Sequence, residues 1–228
     1  MILATHRPYF SPFPGFFYKA YLADIFVILD SVQFPQGTTW ISRNRFKNDQ
    51  GIMWMTIPVR KKGLGLQKLT DVRICREGHW ARKHLQSLRH AYANTPYFAD
   101  HLEFIESIFS SRFENLIDMN IAIIRHIILH LGVETDLRLL SDMHLEARGD
   151  ELLIEICRYF GVSTYLVQRD ARRYLNTDLF ARAGIELRYV KLRSYIYPQL
   201  WGNFIADLSA FDLLFNCGPK SRDILIGS

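Results

Sequence analysis

Paired cysteines are missing from this 228-residue chain: Cys75, Cys157 and Cys217 lie far apart, with no Cys-x-x-Cys to hold zinc or a redox disulfide. They read as reduced thiols of a cytoplasmic protein. Long apolar runs are missing too. His6-Arg7-Pro8 ends the first, and Arg125-His126 interrupts the one from Ile121 to Leu131, so neither a signal-peptide core nor a membrane span of ~18 residues is expected. The chain contains no Gly-x-x-x-x-Gly-Lys-Ser/Thr, Gly-x-Gly-x-x-Gly, Gly-x-Ser-x-Gly or His-Glu-x-x-His string. Those absences remove support for P-loop ATP hydrolysis, the usual dinucleotide fingerprint, an esterase elbow and a zincin site. Repeats, low-complexity tracts and an obvious linker are likewise lacking.

What is present is a packed, half-apolar chain whose charge is unevenly spread. The hydrophobic share is 49% and the formal net charge +5. Residues 1–93 carry 14 Lys and Arg against 5 Asp and Glu, whereas residues 94–228 carry 14 against 18, so +9 faces −4. A local positive field attracts phosphorylated small molecules, nucleotides, nucleic acid or acidic lipid heads.

Hydrophobic patterning predicts a strand over Met1–Thr5, a turn from Arg7 to Gly15 stiffened by Pro8, Pro12 and Pro14, a helix over Phe16–Ala23 and a strand over Ile25–Leu29. The unbroken apolar run of that second strand suits a parallel sheet covered on both faces. The Asn48-Asp49-Gln50-Gly51 cluster signals a hairpin, and Leu69–Cys75 reads as a further strand. Helices are expected near His79–Ala93, Pro96–Ser110 and Phe113–Leu131. Strands at Asp136–Leu140, Thr164–Val167 and Ile185–Val190 then alternate with helices at Asp150–Phe160 and Thr177–Ala183, and two more helices follow at Leu208–Phe215 and Ser221–Ile226. The expectation is one α/β domain over residues 1–228: a largely parallel sheet of Rossmann-like type, an added β-hairpin, and a central helical layer or insertion at 79–132.

Four constellations could carry chemistry. The loop from His6 to Gly15, including Pro8 and Tyr9, stands where α/β folds bind ligands, and a helix start after it could receive a phosphate or carboxylate. Asp30, Gln33, Trp40, Arg43, Asn44 and Arg45 combine planar forks for anions, amides and acids for hydroxyls, and a ring for stacking. Lys83 and His84 share a helix face with Trp80, and His84 or Asp30 could manage a proton as the catalytic group. Ser209, Asp212 and Asn216 form a polar set near the carboxyl end that could either point at a ligand or cap the last helices. No metal set is expected: His126 and His130 share helical spacing, but no third ligand stands at a suitable spacing, so core or interface histidines are the better reading.

The order of these motifs resembles the WbqC-like family. Pro8-Tyr9-Phe10-x-Pro12-x-x-Gly15-Phe16-Phe17, Asp24-x-Phe26-Val27-Ile28-x-Asp30-x-Val32-Gln33-Phe34 and Trp40-Ile41-x-Arg43-Asn44-Arg45 open the match. Trp54-x-Thr56-Ile57-Pro58-Val59, Trp80-x-x-Lys83-His84, Tyr92 with Pro96-Tyr97-Phe98, and Leu208-Ser209-x-x-Asp212-Leu213-Leu214-Phe215-Asn216-x-Gly218 extend it almost to the carboxyl end. The chain departs from the family pattern at His6, where Gln is usual, at Ser31, where a second Asp is common, and at Val167-Gln168, in place of a Ser-Gly pair. The resemblance implies a place in O-antigen or other surface-polysaccharide biosynthesis, with glycine transfer as a suggested activity. A distant, fold-level likeness to nucleotidylyltransferases stops at Phe13-Pro14-Gly15-Phe16, where those enzymes carry His-x-Gly-His.

The resulting expectation is a transferase of the acyl, aminoacyl or nucleotidyl type whose partner is a phosphorylated or nucleotide-linked small molecule. No cofactor is identified. A non-catalytic RNA- or nucleotide-binding module is the alternative, with nucleic acid less favoured because acids and amides accompany the arginines and no RNA-binding motif is present.

Overall fold

The computed structural model describes residues 1–110 and 113–227. In chain order its main elements are β1 (Ile2–His6), α1 (Pro14–Tyr21), β2 (Ile25–Ile28), β3 (Arg43–Asn48), β4 (Gly51–Thr56), α2 (Trp80–Tyr92), α3 (Phe98–Phe109) and α4 (Leu116–His130). They continue with β5 (Asp136–Leu139), α5 (Gly149–Tyr159), β6 (Thr164–Gln168), α6 (Thr177–Arg182), β7 (Glu186–Val190), α7 (Ala210–Cys217) and α8 (Ser221–Ile226). The expected α/β class is what the chain adopts: a five-stranded parallel sheet, a separate two-stranded antiparallel hairpin, and helices.

The chain divides into two compact units. The first comprises residues 1–7, 15–31 and 133–193 and contains the sheet, in the order β5-β2-β1-β6-β7. Every pairing in it is parallel. β2 is apolar and buried along its whole length, as a strand covered on both faces must be. The chain leaves β1 for β2 on one side and later lays β6 on the other, so the carboxyl ends of β1 and β6 flank the point where strand order reverses.

The second unit comprises residues 8–14, 32–132 and 194–228 and contains the β3–β4 hairpin with α2, α3, α4, α7 and α8. The hairpin turns at Asp49-Gln50, with Asn48 opposite Gly51 and Arg43 opposite Thr56. Gly51 takes a positive φ of 105°, which the turn cluster supplies. α2 to α4 stand where the patterning predicts them, shorter by one to three residues at their ends.

Leu69–Cys75 corrects the strand expected there. A 3-10 turn occupies Leu69–Asp71, and the rest is extended but joined to different partners by single bridges, Ile74 to Val59 and Arg73 to Asn115. Val72 and Ile74 are buried while Asp71 and Arg73 are exposed, so the period-2 pattern is real. The backbone bonds are split between two segments, Ile74 N–H to Glu114 O and Cys75 N–H to Pro58 O, so no continuous ladder forms.

Candidate functional site

β3 places Arg43, Arg45 and Lys47 on one face because alternate strand residues share a side. Asn44 and Phe46 point the other way and are buried. Across the hairpin Trp54 stands opposite Arg45. The Arg43 guanidinium lies 3.6 Å from the centroid of the Trp54 ring, and the Arg45 guanidinium 5.6 Å from that of Trp40. The two indoles are 5.6 Å apart and tilted by 36°. Trp54 is 45% and Trp40 41% exposed, unusual for residues that normally bury most of their area. One Arg45 Nη donates to Asp207 O at 2.9 Å, whereas the Nε groups of both arginines are buried with no hydrogen-bond partner among the described residues. Two half-exposed indoles bracketed by two guanidinium forks can stack a sugar or base and bind a phosphate or carboxylate beside it.

His84 borders this face through the hairpin backbone. Its Nε2 stands 2.8 Å from Thr56 O, and a carbonyl only accepts, so Nε2 carries the proton and Nδ1 is the free acceptor. Desolvation lowers the His84 pKa below its usual 6.5, with the Thr56 bond opposing, which keeps the ring neutral at pH 7. Trp80 anchors α2 by donating from its indole N–H to Cys75 O at 2.8 Å, and its ring meets His84 edge-on. Lys83 and Gln33 are exposed.

Other expected site residues of this unit are interior. Asn44 donates through its amide to Phe10 O at 3.1 Å and Ser11 O at 2.6 Å, while Asn120 donates to Pro8 O and Ile41 O, both at 2.8 Å. The loop carrying Pro8, Tyr9 and Ser11 is thereby held by its own carbonyls. Ser209 caps α7 by accepting from Phe211 N–H, shares a 2.6 Å hydrogen bond with the Ser11 hydroxyl and is 0% exposed. The polar groups of Asn44 and Ser209, expected as ligand contacts, are bonded within the fold and buried. Asn216 is similarly occupied, accepting from Leu200 N–H and donating to Asp212 O.

Asp212 belongs to a buried network. The Lys47 backbone N–H donates to the Tyr92 hydroxyl at 2.9 Å, which in turn donates to Asp212 Oδ1 at 2.8 Å. The Lys47 ammonium donates to Gln199 Oε1 and Asn203 O. Among the described residues Oδ2 of Asp212 has no partner at hydrogen-bond geometry, although the Tyr197 hydroxyl and Gln199 amide face the carboxylate. Burial pushes the Asp212 carboxyl up, opposed by Tyr92, Tyr197 and Lys47; burial likewise lowers Lys47 and raises Tyr92.

The first unit holds His6, Gly15 and Asp30. His6 ends β1 at the point of strand-order reversal, with its Nδ1 2.8 Å from Arg7 O and its ring edge-on to Phe16. Burial, then the charge of Lys19, depresses its pKa to about 3. Lys19 is itself buried, donates to Thr5 O at 2.8 Å, and is lowered to about 8 by desolvation. Gly15 is buried in the first turn of α1. Asp30 accepts from Ser141 N–H at 2.9 Å and from the Ser141 hydroxyl at 2.6 Å. Both carboxylate oxygens of Asp30, expected to manage a proton, therefore fasten the segment after β5.

The WbqC-like protein family matches residues 7–224. A protein of Mycobacterium tuberculosis (strain ATCC 25618 / H37Rv), named Uncharacterized protein Rv1507c, is 31% identical over 217 residues, covering 94% of this chain and 93% of that one. This chain belongs to the WbqC-like protein family. No solved structure matches it. Several residues of the WbqC-like motifs, Asn44, Ser209, Asp212, Asn216 and Gly218, serve the interior of the second unit, while Trp40, Arg43, Arg45 and Trp54 reach its surface. Trp54, on the hairpin surface, and Lys47, in the interior, are not among the site residues expected from sequence. The period-2 spacing from Arg43 to Lys47 and the register across the Asp49-Gln50 turn carried that signal. Among the described residues no helix is long and apolar enough to cross a membrane.

Proposed function

We propose that this WbqC-like protein is a transferase of bacterial surface-polysaccharide assembly that binds an activated anionic substrate, such as a nucleotide-linked amino sugar, and transfers an aminoacyl group. The observation that carries the reading is the hairpin face, where exposed Trp40 and Trp54 alternate with Arg43 and Arg45. Sugars and bases stack on indoles, and the arginine forks suit the phosphate that makes such a donor activated. In the step we infer, a sugar amine attacks the carbonyl of an activated acyl donor. A C–N bond forms, the bond to the donor's leaving group breaks, the leaving group departs with the bonding electrons, and the amine proton passes to Nδ1 of His84.

Thermal-shift measurements with nucleotide-linked amino sugars and aminoacyl donors test this. Stabilisation of the wild-type chain, reduced in Arg43→Ala and Trp54→Ala, supports the reading. No shift with any of these compounds, together with full complementation of a polysaccharide-deficient strain by Arg43→Ala, overturns it. The same platform of indoles and arginines would serve single-stranded RNA, so retention of RNA at about 200 mM salt without a response to nucleotide sugars would replace the enzyme by a binding module.

A further inference from the structure

The reason for expecting no metal ligands was the lack of a third partner for His126 and His130. α3 supplies one. His101 faces the two α4 histidines, and one ring nitrogen from each of the three lies within 4.8 Å of the others. Nδ1 of His101 and Nε2 of His126 are 2.9 Å apart. Ring centroids are 5.2 Å apart for His101 and His126, 4.6 Å for His101 and His130, and 4.3 Å for His126 and His130. The i, i+4 spacing puts the α4 pair on one helix face one turn apart, and the sequence gap to His101 hides the third ligand until α3 packs against that face.

We propose that His101, His126 and His130 form a site for a divalent transition ion of the zinc class, held by three imidazoles with a fourth position open to water. Three nitrogens at about 2.0–2.1 Å from a tetrahedral ion stand about 3.4 Å apart, between the 2.9 Å contact already made and the 4.8 Å limit of the set. Small side-chain rotations therefore suffice. The ion would replace the proton that His101 and His126 share.

Surrounding groups favour this use. Phe104 stacks on His126, with centroids 3.7 Å apart and planes 6° from parallel, which fixes the ring. Phe211 and Phe215 pack beside His101 and give the site an apolar wall. His101 is buried, His126 half-buried and His130 exposed, so the site is supported from the interior and accessible from solvent at His130. Asp100 adds a negative charge near His101 and His130. Desolvation, followed by the neighbouring histidines, brings His101 to about 4 and His126 to about 3, and burial also lowers His130. The neutral imidazole is the form that binds a metal. Imidazole donors suit zinc, copper, nickel or iron and disfavour magnesium or calcium.

The full chain, stripped with chelator and dialysed, is titrated with Co2+ while the visible absorption of the ion is followed; Zn2+ is then added as competitor. One equivalent of Co2+ should bind with the spectrum of a low-coordinate nitrogen site, and one equivalent of Zn2+ should displace it and raise the melting temperature. His130→Ala, at an exposed position that leaves the helix intact, should weaken binding by more than the ~10–100-fold that loss of an outer-shell partner costs. His126→Ala should do the same, with circular dichroism confirming that it folds. No saturable Co2+ binding by the wild-type chain overturns the proposal, as does unchanged one-equivalent binding by His130→Ala.

Discussion

The sheet unit and the hairpin unit solve the problem of polar groups in opposite ways. In the first, the few polar side chains at the sheet are paired off: Thr5 shares a hydrogen bond with Tyr165, Lys19 donates to Thr5 O, and Asp30 is held by Ser141. In the second, an interior network of Lys47, Tyr92, Asp212 and Gln199 accompanies two half-exposed tryptophans and two buried arginine Nε groups without partners among the described residues. Unmet hydrogen-bonding capacity beside exposed aromatic area destabilises when left alone, which supports the proposed reading of the hairpin face as a ligand site. In the sheet unit the unusual feature is a buried Lys19 beside a His6 ring that burial keeps neutral.

The strongest test of the hairpin unit's interior is Gly218→Ala. Gly218 has φ +50°, and a Cβ there would lie 2.5–2.6 Å from three atoms of the Tyr97 ring. Neither the left-handed backbone nor the ring has room for it, so we expect about 3 kcal/mol or more of lost stability, read by denaturant unfolding. A wild-type midpoint would remove the view of the carboxyl-terminal motif as architecture. Tyr92→Phe comes next. It strips the Lys47 N–H of its acceptor and Asp212 of its donor, both buried, and should cost about 1–3 kcal/mol. A smaller effect would mean that Tyr197 or Gln199 takes over the carboxylate.

Much of the fold was legible because it rests on local pattern. The apolar run of β2, the Asn48–Gly51 turn and the amphipathic helices each announce themselves within a few residues. Leu69–Cys75 was misread because alternation reports which side chains are buried, not which backbone the segment bonds. Of the candidate site, the surface placement of Trp40, Arg43 and Arg45 could be read from alternation and aromatics. The interior placement of Asn44 and Ser209 could not, since an amide or hydroxyl that fastens a loop looks the same in a sequence as one that holds a substrate. His101 stands 25 residues from His126, and only helix packing brings them together.

The sheet unit is probed by His6→Gln, which keeps a polar side chain but cannot take up a proton. Because burial and Lys19 hold His6 at about 3, the unfolded chain takes up a proton that the folded chain refuses as pH falls from 6.5 toward about 3. The stability linked to His6 is thus complete above pH 6.5 and declines through that window, by at most about 1.4 kcal/mol per pH unit before solvent screening reduces it. Lys19 and Arg7 are the charged groups beside the ring. His6→Gln should flatten the acid limb of a stability–pH curve and leave the pH 8 value nearly unchanged. Parallel curves for the two proteins would mean that the ring is solvated in the native state.

Trp54→Ala should have the smallest effect on stability, and for that reason it sharpens the comparison most. The indole is half-exposed and its principal partner, Arg43, regains water when the ring is removed, so less than about 1 kcal/mol should be lost. A residue kept for the fold would cost as much as Tyr92→Phe or more. If unfolding of Trp54→Ala matches wild type while its thermal response to nucleotide-linked sugars disappears, the ring serves a ligand. If stability falls by 3 kcal/mol, on the order expected for deleting a buried aromatic, the Arg43–Trp54 stack is part of the hairpin's own support. The surface would then no longer differ in kind from the paired polar groups of the sheet.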